Sequence, residues 1–297
     1  MTRSGHRRGC DRLEAVIAIL GGLTAAAMWA ASSLCTSRST RMLPPVVVLG
    51  WVLLAGAAIS APFALSSGVP DGLVGEHLGW LLVVTLGNTA GLLCAYSSLR
   101  FGKVGVVAPI TSAQGAAAAV IAVLAGEQLA AGAGIALGAI VIGVAMSSIA
   151  RGGEDEGDRR EGLAVSFAIA AAAFFGIGLF AMGRLSEELP VVWVLFPTRL
   201  LGVIVLTVPL LVLGRLRMTR DARPLVIASG VLEVLGLVAY NVGAREGIAV
   251  AAVLSSQFAA IAAVAAYFLF RERLARVQIA GVVVIALGVA VLTALQL

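Results

Sequence analysis

Residues Val104–Leu129, VGVVAPITSAQGAAAAVIAVLAGEQL, have a counterpart in Ile248–Leu274, IAVAAVLSSQFAAIAAVAAYFLFRERL. Each stretch begins with small and β-branched residues and then reaches a cluster of hydroxyl side chains and glutamine. An alanine-rich tract follows in both, and both end on Glu-x-Leu. The two copies lie about 145 residues apart, close to half of the 297-residue chain. Similarity at a fixed period is the signature of an internal repeat, so the sequence predicts two structurally related halves.

The composition of the chain excludes a water-soluble protein. Hydrophobic residues make up 60% of the sequence and charged residues only 12%, whereas soluble domains carry about 25% charged residues. The net charge of +5 is spread over short loops and is explained by a membrane surface, and no motif for nucleic-acid binding accompanies it. We therefore expect a multi-pass protein of the cell membrane, embedded in the lipid bilayer.

Apolar segments long enough to cross a membrane recur along the chain. A helix needs ~20 mainly apolar residues to cross ~30 Å of hydrocarbon. The runs are continuously apolar, unlike the alternating strands of a membrane β-barrel. The sequence thus predicts an all-α protein with ten transmembrane helices, at residues 15–35, 45–66, 78–98, 104–125, 131–150, 162–183, 191–213, 224–243, 248–270 and 277–296.

A hydrophilic linker, residues 151–161, divides the chain. A basic N-terminal tail, residues 1–14, and five spans in residues 15–150 precede it, and five spans in residues 162–297 follow it. Because five is odd, the second half must cross the membrane in the opposite direction, as in transporters built from inverted repeats. The basic residues of the odd-numbered loops favour a cytoplasmic position for those loops, but the basic tail favours the reverse. The orientation of the termini therefore stays open.

Several motifs resemble those of the EamA-type carriers of the drug/metabolite transporter superfamily. They are Gly-x-Val-x-x-x-Ala-Pro at Gly102–Pro109, Gly-Glu-x-Leu at Gly126–Leu129, and an arginine in the second span of a half, at Arg199. This chain departs from the family pattern at Leu53 (for the arginine), Val253 (for a proline) and Arg271 (for a glycine). The resemblance implies a ten-helix carrier of small metabolites or drugs, often an exporter.

Two charged residues lie well inside the predicted spans, Arg199 in the seventh and Glu233 in the eighth. A charge at the centre of the bilayer costs ~2.5–3.5 kcal/mol on insertion scales, so each should face the bundle interior and have a partner. Counted from their shared loop, the two lie at depths of roughly 21 and 14 Å, which long side chains can bridge. A purely structural ion pair and a pair that binds substrate or exchanges a proton both fit this pattern.

Uncharged polar residues recur at matching positions of the two halves and are predicted to line the same site as Arg199 and Glu233. An amide side chain needs several hydrogen-bond partners, which favours a shared pocket. The alternative for the hydroxyl groups is a bond to their own helix or to a neighbouring one. The predicted site residues are Trp29 as an aromatic wall, with Asn88, Tyr96, Gln114, Tyr240, Asn241, Ser255 and Gln257 as polar groups.

Motifs of other functional classes are absent from the sequence. It contains no phosphate-binding loop, no Gly-x-Ser-x-Gly and no His-Glu-x-x-His, so we expect neither an enzyme nor a bound cofactor or metal. We expect an alternating-access carrier for small organic molecules, amino-acid-like or anionic, which is proton-coupled or a facilitator. It would act as a monomer or a homodimer. A lipid-linked or multidrug exporter and a non-transporting membrane scaffold are the alternatives.

Overall fold

A computed structural model describes residues 3–70, 73, 75, 77–125, 132–147, 156–186, 189–255, 257–271 and 276–295. These residues form helices and connecting turns, and no strand occurs among them. A π-helical turn, Val203–Thr207, joins two of the helices. The helices are α1 (Arg3–Met42), α2 (Pro45–Ser66), α3 (Leu78–Phe101), α4 (Val104–Ser112), α5 (Gln114–Leu124), α6 (Ala133–Ser147), α7 (Glu156–Ser186), α8 (Val191–Gly202), α9 (Val208–Val212), α10 (Arg223–Ser255), α11 (Phe258–Phe270) and α12 (Arg276–Leu295).

Many of these helices have the length and composition of membrane spans, which confirms the prediction of an all-helical, multi-pass membrane protein. The number of ten spans stays a prediction, because the described residues hold two further apolar helices that are shorter, Phe258–Phe270 and Ile279–Val291. The six long spans are Ile19–Met42, Pro45–Ser66, Leu78–Phe101, Arg159–Met182, Val192–Val212 and Arg223–Tyr240.

Three helix boundaries differ from those expected. Helix α1 begins at Arg3, so the basic N-terminal segment continues the helix of the first span. Helix α10 runs without interruption through residues 244–247, where a loop between spans eight and nine was predicted, and that prediction is wrong. Neither segment contains a proline, and Ala, Arg and Glu around this point are good helix formers. The predicted fourth span is instead divided into α4 and α5 by a turn at Ala113.

The second span of each half begins and ends in the same way. Pro44 and Pro190 precede α2 and α8 with nearly identical backbone angles, φ −57° and ψ 137° against φ −58° and ψ 139°. After the spans, Gly68 and Gly214 have φ of +72° and +62°, a left-handed conformation that glycine adopts without steric cost. All four residues keep the offset of the sequence repeat.

Corresponding helices of the two halves pack against each other through reciprocal contacts. A Cβ atom on Gly143 of α6 would lie 2.8 Å from Cγ1 of Ile285, and one on Gly288 of α12 would lie 2.7 Å from Cγ1 of Ile140. As residue numbers rise along α6 they fall along α12, so the two helices run antiparallel. Reciprocal contacts of this kind are the property of an interface with two-fold symmetry.

Other helices also pack against helices of the opposite half. Helix α1, the first of its half, packs against α10 of the other half, and α7 packs correspondingly against α3. Helices α2 and α8 also contact each other. The hydroxyl of Thr207, just beyond α8, donates to the Gly50 carbonyl at 3.0 Å, while Arg199 lies against Gly56. Residue numbers again rise on one helix as they fall on the other.

Candidate functional site

A cavity of about 260 Å³ is lined by residues of both halves, from α1, α3, α4, α5, α7, α8, α10 and α11. It is a mixed pocket, because apolar side chains such as Leu92 and Phe258 alternate with hydroxyl, amide and charged groups. Six of the predicted site residues line it, namely Trp29, Asn88, Tyr96, Gln114, Arg199 and Glu233.

The predicted ion pair between Arg199 and Glu233 is present. Nη2 of Arg199 donates to Oε1 of Glu233 at 2.6 Å, and the side chains are only 7% and 16% exposed. The arginine side chain passes over Gly56, where a Cβ would lie 3.2 Å from its Cδ. Nη1 of Arg199 and Oε2 of Glu233 are buried and have no hydrogen-bond partner among the described residues. The pair therefore retains one donor group and one acceptor.

The first half carries the same packing without the charges. Leu53 occupies the repeat position of Arg199 and lies against Gly202, where a Cβ would be 3.1 Å from its Cδ2, just as Arg199 lies against Gly56. Asn88 occupies the repeat position of Glu233 and also lines the cavity. The polar lining is consequently asymmetric, with both charges supplied by the second half.

An aromatic side chain of each half packs on a glycine of the other. A Cβ on Gly236 would lie 2.5 Å from Nε1 of Trp29, and one on Gly91 would lie 2.5 Å from Cδ1 of Phe175. The indole N–H of Trp29 also donates to the backbone carbonyl of Glu233, at 3.3 Å. The absence of a side chain at the two glycines thus lets both rings reach the cavity wall.

The sequence profile of the EamA-like transporter family matches residues 16–149 and 162–294. The chain belongs to the EamA-like transporter family. Members of this family are membrane transporters of small substrates rather than enzymes. The two matched ranges are two family repeats, one on each side of the hydrophilic linker. No curated protein matches the chain.

A solved structure described only as "Crystal structure of protein" shares the fold of this EamA-like transporter. The two superpose with a TM-score of 0.60 over 95% of this chain and 98% of the other, at 19% sequence identity. At that identity the likeness concerns the fold alone.

A cluster of buried hydroxyl groups in the EamA-like transporter was not predicted from the sequence. The Thr36 and Ser229 hydroxyls lie 2.6 Å apart, and the Ser32 hydroxyl donates to the Ser229 carbonyl at 3.1 Å. The Tyr96 side chain is buried and lines the same cavity as Ser32 and Thr36. Because Ser229 precedes Glu233 by one turn of α10, the cluster lies next to the ion pair. The spacing of Ser32 and Thr36 places two hydroxyls on one helix face and could have revealed it.

The remaining predicted residues of the EamA-like transporter are not among those that line the cavity. Tyr240 packs against Trp29, with ring centroids 6.1 Å apart. Ser255 is buried at the end of α10, and Gln257 precedes the first residue of α11. The side chain of Asn241 lies outside the described residues. For these four positions a role in binding stays a prediction.

Proposed function

We propose that this chain is an alternating-access secondary transporter of the cell membrane, with ten spans arranged as two inverted five-helix repeats. In such carriers the halves rock about a site at their interface near the middle of the membrane. The antiparallel, reciprocal packing of α6 with α12 and of α2 with α8 supports this arrangement. So does the lining of the cavity, which both halves supply.

The substrate of this transporter is a small organic molecule with a carboxylate or a zwitterionic group. The observation that carries this proposal is the unused bonding capacity of the Arg199–Glu233 pair inside the cavity wall. Nη1 of Arg199 can donate to a substrate carboxylate, and the second carboxylate oxygen of Glu233 can accept from an amine. An amino-acid-like substrate satisfies both groups at once.

The size of the cavity favours a metabolite over a bulky drug. Pockets for drug-sized ligands usually enclose ~300–1,000 Å³, and this one encloses about 260 Å³. Asn88 and Gln114 offer amide groups for the polar part of the substrate, and the rings of Trp29 and Phe175 form apolar walls. A multidrug exporter would need a larger and less polar chamber.

Glu233 is also the proposed proton carrier. A carboxylate in the bilayer that loses its cationic partner is strongly destabilised unless it takes up a proton. Where the conformational change draws the guanidinium of Arg199 away, Glu233 would be paired either with the amine of the substrate or with a proton. Substrate and proton would thus exchange at Glu233 and cross the membrane in opposite directions, so an inward proton gradient would drive export, the proposed direction.

The test uses the purified transporter in proteoliposomes with an internal pH-sensitive dye. A thermal-shift screen of amino acids, carboxylates, neutral drugs and lipid precursors first identifies a ligand. Counterflow and proton flux are then measured for the wild type, Glu233→Gln and Arg199→Gln. Asp221→Asn is the matched control, because Asp221 is exposed and lies just before α10.

We expect carboxylate or zwitterionic ligands to stabilise the wild type, and Arg199→Gln to abolish that effect. Glu233→Gln should abolish proton flux but leave expression intact, and Asp221→Asn should behave as the wild type. Stabilisation by hydrophobic drugs that survives Arg199→Gln would instead indicate a multidrug exporter. If Glu233→Gln and Arg199→Gln each serve the cell as well as the wild type does, the result would indicate a scaffold.

A further inference from the structure

A second pocket, of about 370 Å³, lies where three helix ends meet. Helix α1 ends next to it, α3 leads through Gly102 into α4 beside it, and α7 begins there. Basic side chains come from each of these elements. The lining residues are Arg41, Arg100, Phe101, Gly102, Lys103 and Arg160.

Gly102 holds these helix ends together. A Cβ on Gly102 would lie 2.5 Å from Cβ of Ala164, so only a glycine allows α7 to approach this closely. The Ser98 hydroxyl donates to the Ala164 carbonyl, and Nη2 of Arg41 donates to the Gly102 carbonyl at 3.3 Å. Close packing and two hydrogen bonds between helices thus define the pocket's walls.

Basic side chains predominate among the described residues that line the pocket. Four of the lining residues are basic, and none of the described residues that line it is acidic. Helix α4 begins directly after Lys103, so the positive end of its dipole lies here too. An anion with several oxygen atoms can bind several basic side chains at once.

An apolar surface adjoins the basic groups. Phe101 lines the pocket and is 41% exposed, and its ring stacks on Phe167 with centroids 6.3 Å apart. Leu163, also on α7, is 46% exposed. Charged groups at the ends of membrane spans lie at the depth of the lipid head groups, with exposed apolar side chains directed to the acyl region. The basic groups therefore lie where the phosphate of a phospholipid would lie, and the apolar surface lies where its acyl chains would lie.

We propose that this pocket binds the phosphate head group of an anionic phospholipid, with an acyl chain lying over Phe101. Basic pockets between membrane helices bind anionic head groups in this manner. The site is distinct from the central cavity, because the residues that line the two pockets do not overlap. It therefore stands independently of the proposed transport function.

The experiment titrates the purified full-length protein in detergent with phosphatidylglycerol, phosphatidylcholine or inorganic phosphate. Bound lipid is counted by native mass spectrometry, and the melting temperature is followed in parallel. The pocket variant is Arg41→Gln/Arg100→Gln. The matched control is Arg215→Gln/Arg217→Gln, which removes the same charge from exposed residues of another odd-numbered loop, on the same side of the membrane in the ten-span topology.

We expect phosphatidylglycerol to bind and stabilise the wild type and the control, with phosphatidylcholine binding more weakly. The pocket variant should bind phosphatidylglycerol about 30-fold more weakly, roughly fivefold for each basic residue removed. An equal loss in both variants would overturn the proposal, since the attraction would then be a general surface effect. Stabilisation by millimolar phosphate alone would overturn the choice of a lipid. A pocket variant that melts at the wild-type temperature without lipid excludes misfolding as the cause.

Discussion

Replacing the buried charges by the residues of the first half separates their contribution to folding from their contribution to transport. The variant Arg199→Leu/Glu233→Asn copies the arrangement of Leu53 and Asn88, which the protein already accommodates at the corresponding positions. Leu53 packs against Gly202 with no charge present. The double variant is therefore expected to fold and to insert into the membrane.

The single variants should differ from the double variant in the free energy of unfolding. Breaking a buried ion pair costs ~3–5 kcal/mol, because the remaining charge is left without compensation. Glu233→Asn should approach this range, since Arg199 is 7% exposed and a guanidinium does not lose its proton. Arg199→Leu should also approach this range, because it leaves the carboxylate of Glu233 buried without its partner. The double variant should lie within about 1 kcal/mol of the wild type.

The assay is reversible chemical unfolding in detergent micelles, combined with counterflow in proteoliposomes. A double-mutant cycle then gives the coupling free energy, expected to exceed about 2 kcal/mol. The double variant should fold but show no transport. A coupling below about 0.5 kcal/mol would refute the argument that the two charges depend on each other. Transport retained by the double variant would refute the assignment of the pair to the substrate site.

Three further substitutions test individual features. Tyr96→Phe removes the hydroxyl of a buried residue that lines the cavity together with Thr36, and unfolding should show a loss of about 1 kcal/mol. Gly236→Ala would place a Cβ 2.5 Å from Nε1 of Trp29, so a loss of ~1–3 kcal/mol and quenched or shifted tryptophan fluorescence are expected. The control Gly138→Ala, with no neighbour within 4 Å, should cause no loss of stability and leave the fluorescence unchanged. Arg271→Gly should raise stability by about 0.5–1 kcal/mol, because this residue has a φ of +53°, which disfavours a side chain; a lower melting temperature would contradict that reasoning.

The sequence repeat predicted the main features of the site. Charges in an apolar span must have partners, which led to the Arg199–Glu233 pair. The constant offset related Asn88 to Glu233, and both line the cavity. The glycine that the family motif has at the position of Arg271 also has a physical explanation. Arg271 has a left-handed backbone conformation, which glycine adopts without steric cost.

Features that depend on packing between the halves could not be predicted. The Trp29 ring reaches the wall because Gly236 lies beneath it, and only the assembled fold brings these residues together.

The uninterrupted course of helix α10 could not be predicted from the sequence either. A helix that leaves the membrane needs no distinct sequence signal, and Gly243 and Gly247 alone do not stop it. The turn at Ala113 follows Pro109 by four residues, at a distance that the proline by itself does not specify.

The unequal lining of the cavity has a consequence for the energetics of the transport cycle. If two inverted halves were identical, exchanging their conformations would convert the outward-facing state into the inward-facing state, and the two would have the same free energy. Arg199 and Glu233 have no charged counterparts at Leu53 and Asn88, so the proposed substrate site itself makes the free energies of the two states unequal. In the proposed carrier, the residues that recognise the substrate would therefore also set the side of the membrane on which the empty protein waits.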